Sequence, residues 1–406
     1  MVDSSFDVVV VGAGPAGLIA AETIAQQEIK VAVIERDQKP GKDKPCGGFL
    51  TTQGVKEGHI PLELAERTTN GVSIVMPGFP IYHVDYPHSI GIQLTREELG
   101  RYLSERAETA GAKLFLQHQV IGCKRDDSRW HMTLKGTVKD LYASLLIGAD
   151  GVTSTVARET GLRTRFHRDE LGITVQAQIA LPEEVISDRF SNRMEVYYGR
   201  EFCPYGYLWI FPKRSSVYVG VGSLLSAVTT RLEPYLNRFI ETHSTGKEKL
   251  AGGTIQLIER ALVPLTYQRR SAADGLLLVG DAAGHCSAIT GEGLHYSIAA
   301  GRIAGEVVVN AVKGGNLGYR YLRRYEQLWN QAFGSDLKWG LRLRNYFYRG
   351  IASQSVSSGI SSNKHFLRLA SDLIAGVRPY RDTIVRALPF YLWNRIKTAV
   401  SSRLQN

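Results

Sequence analysis

Three groups of residues in this chain have the types and spacing to hold a dinucleotide. The first is Gly12, Gly14 and Gly17, in the order G-x-G-x-x-G, with Glu35 behind them. Phe6-Asp-Val-Val-Val-Val reads as a buried strand before the glycines, Leu18-Ile-Ala-Ala-Glu-Thr-Ile-Ala as a helix after them, and Val31-Ala-Val-Ile as a second strand ending on Glu35. Gly12 permits the tight turn, Gly14 lets the backbone approach a pyrophosphate, and Gly17 lets the helix lie close on the sheet. The helix N-terminus offers free N–H groups and partial positive charge to phosphates, and Glu35 can accept hydrogen bonds from ribose hydroxyls. The other two groups are Gly148-Ala-Asp150-Gly151 after the strand 145–147, and Gly280-Asp281-Ala-Ala-Gly284 after the strand 276–279. Each places a Gly/Asp pair at the C-terminal end of an apolar strand, where open α/β sheets put their ligands.

The elements that position these residues are legible in outline. Thr95-Arg-Glu-Glu98 has the capping-box form, and Leu99, Leu103 and Ala107 follow at helical spacing, which predicts a helix over 96–110 ended by Gly111. A strand at 113–117 and alternating segments at 130–134, 137–142 and 144–148 come next. Strands are predicted at 172–180, 194–198, 207–211 and 216–222, and a long helix from about 293 to 312. Beyond 316 the pattern is helical and rich in aromatics. The fold class is α/β: a Rossmann-like nucleotide-binding domain with an inserted antiparallel β-sheet substrate domain and a helical C-terminal region. The boundaries are 1–75, 94–165 and 265–315 for the discontinuous nucleotide domain, 76–93 and 166–264 for the substrate domain, and 316–406 for the helical region.

Composition narrows the class. Four cysteines with no metal-ligand spacing point to a reducing compartment, and no clustered His/Cys/Asp set calls for a metal. The N-terminus carries acids and enters the first strand at once, and no long apolar run spans a bilayer, so the expected location is cytoplasmic. The net charge of +10 is uneven: residues 338–406 hold twelve Lys/Arg against Asp372 and Asp382 only. Basic residues beside Phe390, Tyr391, Leu392 and Trp393 suit a helix lying on an anionic membrane surface, which predicts peripheral membrane association; a helix packed on the body with a solvated basic face is the alternative. No recognition motif accompanies the charge, so nucleic acid is not an expected partner.

The three glycine motifs in this order resemble the flavoproteins of the para-hydroxybenzoate hydroxylase-like fold. Lys44-Pro45-Cys46-Gly47-Gly48, Tyr207-Leu-Trp209-Ile-Phe211-Pro212-Lys213 and Gly280-Asp281-Ala-Ala-Gly284 with Thr290-Gly291-Glu292-Gly293 are similar to the hallmarks of the geranylgeranyl reductase family. The resemblance runs from residue 6 to about 350. The Gly291-Glu292-Gly293 form is closer to the chlorophyll-pathway branch than to the archaeal lipid branch; Tyr207-Leu-Trp209, where the chlorophyll branch tends to Tyr-Gly-Trp, departs from it.

The resemblance implies FAD as cofactor, reduced by NADPH or by reduced ferredoxin, and a prenyl-lipid substrate whose isolated double bonds are reduced. With one G-x-G-x-x-G there is no separate nicotinamide domain. The basic tail suits an acidic ferredoxin as well as a membrane. The implied cofactor contacts are Gly12, Ala13, Gly14, Pro15, Ala16, Gly17, Glu35, Arg36, Cys46, Gly47, Gly48, Arg96, Val120, Asp150, Gly280, Asp281, Gly291, Gly293 and Leu294. Glu35 is placed at the AMP ribose and Asp281 near the ribityl chain. Catalytic candidates are Cys46, near the flavin as proton donor or tuner, and Tyr207 and Trp209, which share a strand face with Phe211 as an aromatic wall for a polyprenyl chain. Tyr205 is a second candidate proton donor; His285 and His295 read as structural. The expected activity is geranylgeranyl-to-phytyl-type reduction of geranylgeranyl diphosphate or geranylgeranyl-(bacterio)chlorophyll. Alternatives are an isoprenoid glycerolipid or quinone side chain as substrate, monooxygenation or halogenation on the same fold (the latter relying on a lysine between flavin and substrate), and a flavin-binding carrier without turnover.

Overall fold

Val8, Val9 and Val10 are fully buried because the strand Ser5–Val11 has parallel neighbours on both sides and covered faces above and below, the setting that makes a strand a continuous apolar run. The structure is a computed structural model and describes residues 4–42, 45–76, 79–352, 364–387 and 389. Lys44 and the predicted aromatic–basic stretch from Phe390 onward lie outside the described residues. Around the first strand, Lys113–Phe115, Val31–Ile34, Ser5–Val11, Asp140–Gly148 and Leu276–Leu278 run parallel in that spatial order. The helices Pro15–Ala25, Arg96–Thr109 and Leu294–Lys313 bury one face of this sheet. The antiparallel pair Gln119–Asp126 and Arg129–Lys135 folds its apolar side over the other. This is the Rossmann-like layer expected from the sequence.

Thr95 caps the helix Arg96–Thr109, its hydroxyl accepting the Glu98 N–H at 3.2 Å. The segments read as separate at 137–142 and 144–148 are one strand, Asp140–Gly148. Its exposure alternates at first, beside the antiparallel pair, and becomes continuous burial once it enters the parallel centre. The change of period hid its continuity.

A second sheet of seven strands has the order Thr254–Pro264, Leu171–Ala180, Ser216–Leu224, Gly206–Pro212, Arg193–Tyr198, Gly71–Val75 and Tyr82–Asp85. All neighbours are antiparallel except Gly71–Val75 with Arg193–Tyr198. Residues 71–75, on the nucleotide side of the division drawn from sequence, therefore pair within this sheet. Phe49–Thr51, Gly91–Gln93 and Arg67–Thr69 form a small three-stranded sheet at the junction. The C-terminal region contributes the helices Tyr319–Trp329, Ser335–Ala352 and Lys364–Ile374. The last packs Leu367, Ala370 and Ile374 onto the outer strands of the seven-stranded sheet. Among the described residues no helix is long and apolar enough to cross a membrane.

Candidate active site

The glycine loop and the end of the second strand are tied together by Glu35. Its buried carboxylate accepts the Ala13 N–H at 2.7 Å on one oxygen and the Asp37 N–H at 3.0 Å on the other. A charged acceptor inside a layer this apolar is tolerable because both oxygens are bonded. Gly12 sits at φ +104°, the left-handed region that favours glycine, and a Cβ on Gly17 would collide with the Gly12 carbonyl. The loop therefore closes only with these residues. Gly14 differs: a Cβ there would meet nothing within 4 Å, because this face opens on a cavity of ≈ 600 Å³. Gly14 is also the N-cap of the helix Pro15–Ala25 and gives it no side-chain cap. The helix dipole thus points its positive end into open space.

One cavity gathers the predicted site residues. Gly12 to Ala16, Glu35, Arg36, Cys46, Gly47, Gly48, Arg96, Val120, Asp150, Tyr207, Trp209, Gly280, Asp281, Gly291, Gly293 and Leu294 all line it, while Gly17 lies behind the loop. Asp150 turns its carboxylate to the backbone N–H groups of Thr155 (2.7 Å) and Val156 (3.0 Å) and to the Ser154 hydroxyl (2.5 Å). It shapes the turn with its side chain and leaves backbone for the cavity. Asp281 opens on the cavity from the turn Gly280–Ala283. Burial pushes its carboxyl up to about 6, against the opposing pull of Arg96. The Arg96 Nε is buried without a partner on the same wall.

These features fit FAD. The uncapped helix end and the orphaned Arg96 Nε suit a pyrophosphate, Glu35 lies where the loop meets the second strand, and Asp281 sets a carboxyl on the wall of the same cavity.

Further along the cavity, Cys46 is half-buried and its Sγ accepts the Gly48 N–H at 3.4 Å. A Cβ on Gly47 would collide with the Phe211 ring. Lys213 holds this loop from behind. Its amine is buried, donates to the Gly47 carbonyl and to Gln93 Oε1 (2.9 Å), and lies 4.8 Å from the centre of the Tyr218 ring. Burial pushes it down to about 7. Buried Gln176 links the loop to the aromatic strand: its Nε2 donates to the Cys46 carbonyl at 3.3 Å and its Oε1 accepts from Trp209 Nε1 at 3.2 Å. Tyr207, Trp209 and Phe211 stand in a row, with ring centroids 5.8 and 6.4 Å apart, and all three face the cavity. The Tyr207 hydroxyl donates to the Thr290 carbonyl, and burial raises its pKa well above the ordinary phenol value. It is thereby engaged in joining the strand to the loop before Gly291. Tyr205 is not on the cavity wall, and His285 is buried under Tyr325, Trp329 and Phe333.

Sequence reasoning gave no role to Gln176, although a glutamine at an inward position of an apolar strand is a signal. It also left Lys213 and Glu292 as letters of a motif. Tyr380 was missed entirely: its hydroxyl bonds Ser287 (2.5 Å) and Thr290 (3.1 Å), reaching the cofactor loop from the C-terminal region.

Residues 5–327 match the FAD binding domain family. The chain is 31% identical over 404 residues to digeranylgeranylglycerophospholipid reductase 2 of Methanothermobacter thermautotrophicus, covering 93% of this chain and 100% of that one. It is 29% identical over 382 residues to the chloroplastic geranylgeranyl diphosphate reductase of Arabidopsis thaliana, covering 90% and 79%. The crystal structure of a geranylgeranyl bacteriochlorophyll reductase-like protein from Thermoplasma acidophilum superposes with a TM-score of 0.79 at 23% identity, covering 95% and 99%. With the FAD cradle, the cysteine loop and the aromatic wall in one cavity, the chain belongs to the geranylgeranyl reductase family of FAD-dependent oxidoreductases.

Proposed function

We propose that this protein reduces isolated double bonds of a prenyl chain, geranylgeranyl to phytyl-type, carried by geranylgeranyl diphosphate or geranylgeranyl-(bacterio)chlorophyll. The observation that carries this reading is the continuity of one cavity from the glycine loop, past Cys46 and Gly47, to the row Tyr207, Trp209 and Phe211. When bound and reduced, FAD supplies the hydride. The chain's own residues hold the alkene, exclude water and bring a proton. The apolar wall is extended by Met194, Val196 and Ile374, which suits a hydrocarbon chain and offers a diphosphate nothing. Two cysteines line the cavity; Cys286 is buried, and half-buried Cys46, in the loop packed against Phe211 of the aromatic row, is the proposed donor or flavin-tuning group.

The near-equal identity to the Methanothermobacter enzyme supports a second substrate, an isoprenoid glycerolipid. Halogenation is disfavoured, since the described residues on the cavity wall include Arg36, Arg96 and Arg260 but no lysine, and Lys213 stands behind the wall. The electron donor is proposed as NADPH or reduced ferredoxin. The test is mass spectrometry of prenyl products after anaerobic incubation of the dithionite-reduced protein with geranylgeranyl diphosphate, geranylgeranyl-chlorophyll and a geranylgeranylated glycerolipid. Gain of hydrogen pairs on one of them is expected. No gain on any, with oxygen or halogen added to other acceptors in air, would overturn the reading.

A further inference from the structure

His295, in the first turn of the helix Leu294–Lys313, stands between two carboxylates. Its Nε2 is 3.7 Å from Glu57 Oε2 and its Nδ1 is 3.9 Å from Glu292 Oε1. Those two oxygens are buried and have no hydrogen-bond partner. The other Glu57 oxygen accepts from Gln53 Nε2 at 3.0 Å. Glu57 retains 24% side-chain exposure, whereas Glu292 lines the cofactor cavity. The three groups therefore form a line from solvent to the cavity, and each gap is the length of an ion pair that one side-chain torsion, or one water, closes to hydrogen-bond distance.

We propose that His295 relays protons from solvent at Glu57 to the cavity at Glu292, supplying the proton that alkene reduction consumes beside the hydride. For its use of the proton, the proposal rests on the reductase reading above. The step balances without a further reactant. Glu292 gives its proton into the cavity, His295 returns one to Glu292, and solvent recharges His295 through Glu57; the electron pair comes with the hydride. His295 acts through Glu292 and is a positioning residue in that sense.

The surrounding charges support the direction. Burial alone pushes the imidazole down, but Glu57, Glu292 and Asp336 hold it above its ordinary value, which favours the protonated form that can give a proton. Burial pushes the Glu292 carboxyl up, opposed by His295 and reinforced by Asp336, which favours its holding a proton. Glu57 is desolvated too, yet His295, Gln53 and Arg302 keep it below the usual carboxylate range, as befits the ionised outer end. Tyr296 and Tyr380 also face Glu292, and burial raises both hydroxyls out of the working range.

The experiment uses the FAD-loaded full chain. In anaerobic single turnovers with geranylgeranyl diphosphate, His295→Ala is expected to slow flavin reoxidation on the order of 100-fold at neutral pH, with FAD content and substrate KM unchanged. Added imidazole is expected to restore much of the rate, which a merely structural role would not allow. An unslowed variant, or a slowed one that imidazole does not rescue, would overturn the relay. If His295→Ala does not load FAD, Glu57→Gln at the solvent end carries the same test through its kcat–pH profile: a rate equal to wild type at every pH overturns the relay. A second readout needs no turnover. The His295 C2 proton, assigned in holoprotein NMR against His295→Gln, should titrate above the ordinary histidine range and move down in both Glu57→Gln and Glu292→Gln. No movement in Glu292→Gln refutes the line of three. If the wild type reduces no prenyl chain, the reductase reading fails, while the titration still decides the cluster.

Discussion

Glu35 spends both carboxylate oxygens on backbone N–H groups, one in the glycine loop and one beyond its own strand, so it holds the geometry of the loop itself. Glu35→Gln keeps the shape but replaces one acceptor by a donor and removes the charge. A charged hydrogen bond of this kind contributes about 2 kcal/mol, so FAD affinity should fall on the order of 30-fold. Fluorescence titration of the apoprotein with FAD checks this, and an unchanged Kd would mean the loop holds itself. Glu35 was legible because an acid at the end of the second strand has a known use. Lys213 was not, because a lysine ending a strand reads as surface until Gly47 and Gln93 are seen to close over it. Its burial has a consequence for stability. The folded amine is held at about 7, while the unfolded lysine keeps a value near ~10.4. Between these the unfolded chain binds the additional proton, so this group makes stability rise with pH from 7 to about 10, and its full cost is present below 7. Lys213→Met should remove that rise: relative to the variant, wild type gains on the order of a few kcal/mol across the window. Urea midpoints of both proteins at pH 7 and 9.5 measure it, and parallel midpoints would show that the amine stays charged in the fold.

At the scale of elements, patterns carried by one strand or helix were readable, and those requiring a partner were not. The capped helix Arg96–Thr109 and the aromatic strand Gly206–Pro212 announce themselves through local spacing. The strand Gly71–Val75 does not, because its parallel neighbour Arg193–Tyr198 is far along the chain. The loop 285–293 is a similar case. Its glycines are visible in sequence, but what holds it comes from elsewhere: the Tyr207 hydroxyl donates to Thr290 O, and the Tyr380 hydroxyl bonds Ser287 and Thr290. Tyr380 is 3% exposed, so Tyr380→Phe leaves the shape intact and strips these bonds from the loop. The expected loss is about 1–2 kcal/mol in stability, with faster release of FAD, since the loop that opens the helix Leu294–Lys313 loses its brace. Thermal unfolding and the FAD dissociation rate report the two effects separately. A lowered Tm with an unchanged dissociation rate would confine Tyr380 to holding the C-terminal region in place.

Over the whole molecule, the region that carries the basic surplus also closes the cavity. Ile374, at the end of the helix Lys364–Ile374, is part of the wall beside Tyr198 and Tyr207. Asp372 ties this helix to the end of the edge strand Tyr82–Asp85 by accepting from the Tyr86 hydroxyl (2.9 Å), and within the C-terminal region it accepts from Arg368 Nε (3.1 Å) and Arg378 Nε (2.8 Å). If the prenyl chain is drawn from a bilayer, the basic and aromatic residues of the sequence 390–406 are the ones expected to bind its anionic surface. The segment can be separated from the wall. Deleting 390–406 removes Arg395, Lys397 and Arg403 with Tyr391, Leu392 and Trp393, but spares Asp372, Ile374 and Tyr380. Each basic residue near an anionic surface contributes about 1 kcal/mol. The truncated chain should therefore load FAD normally, yet partition onto phosphatidylserine vesicles on the order of 100-fold less at low salt. Raising the salt should shrink the difference, because the charge contribution is screened within a Debye length. Co-sedimentation that the deletion leaves undiminished would assign membrane contact to another face, and the basic surplus would then be free to serve an acidic electron donor.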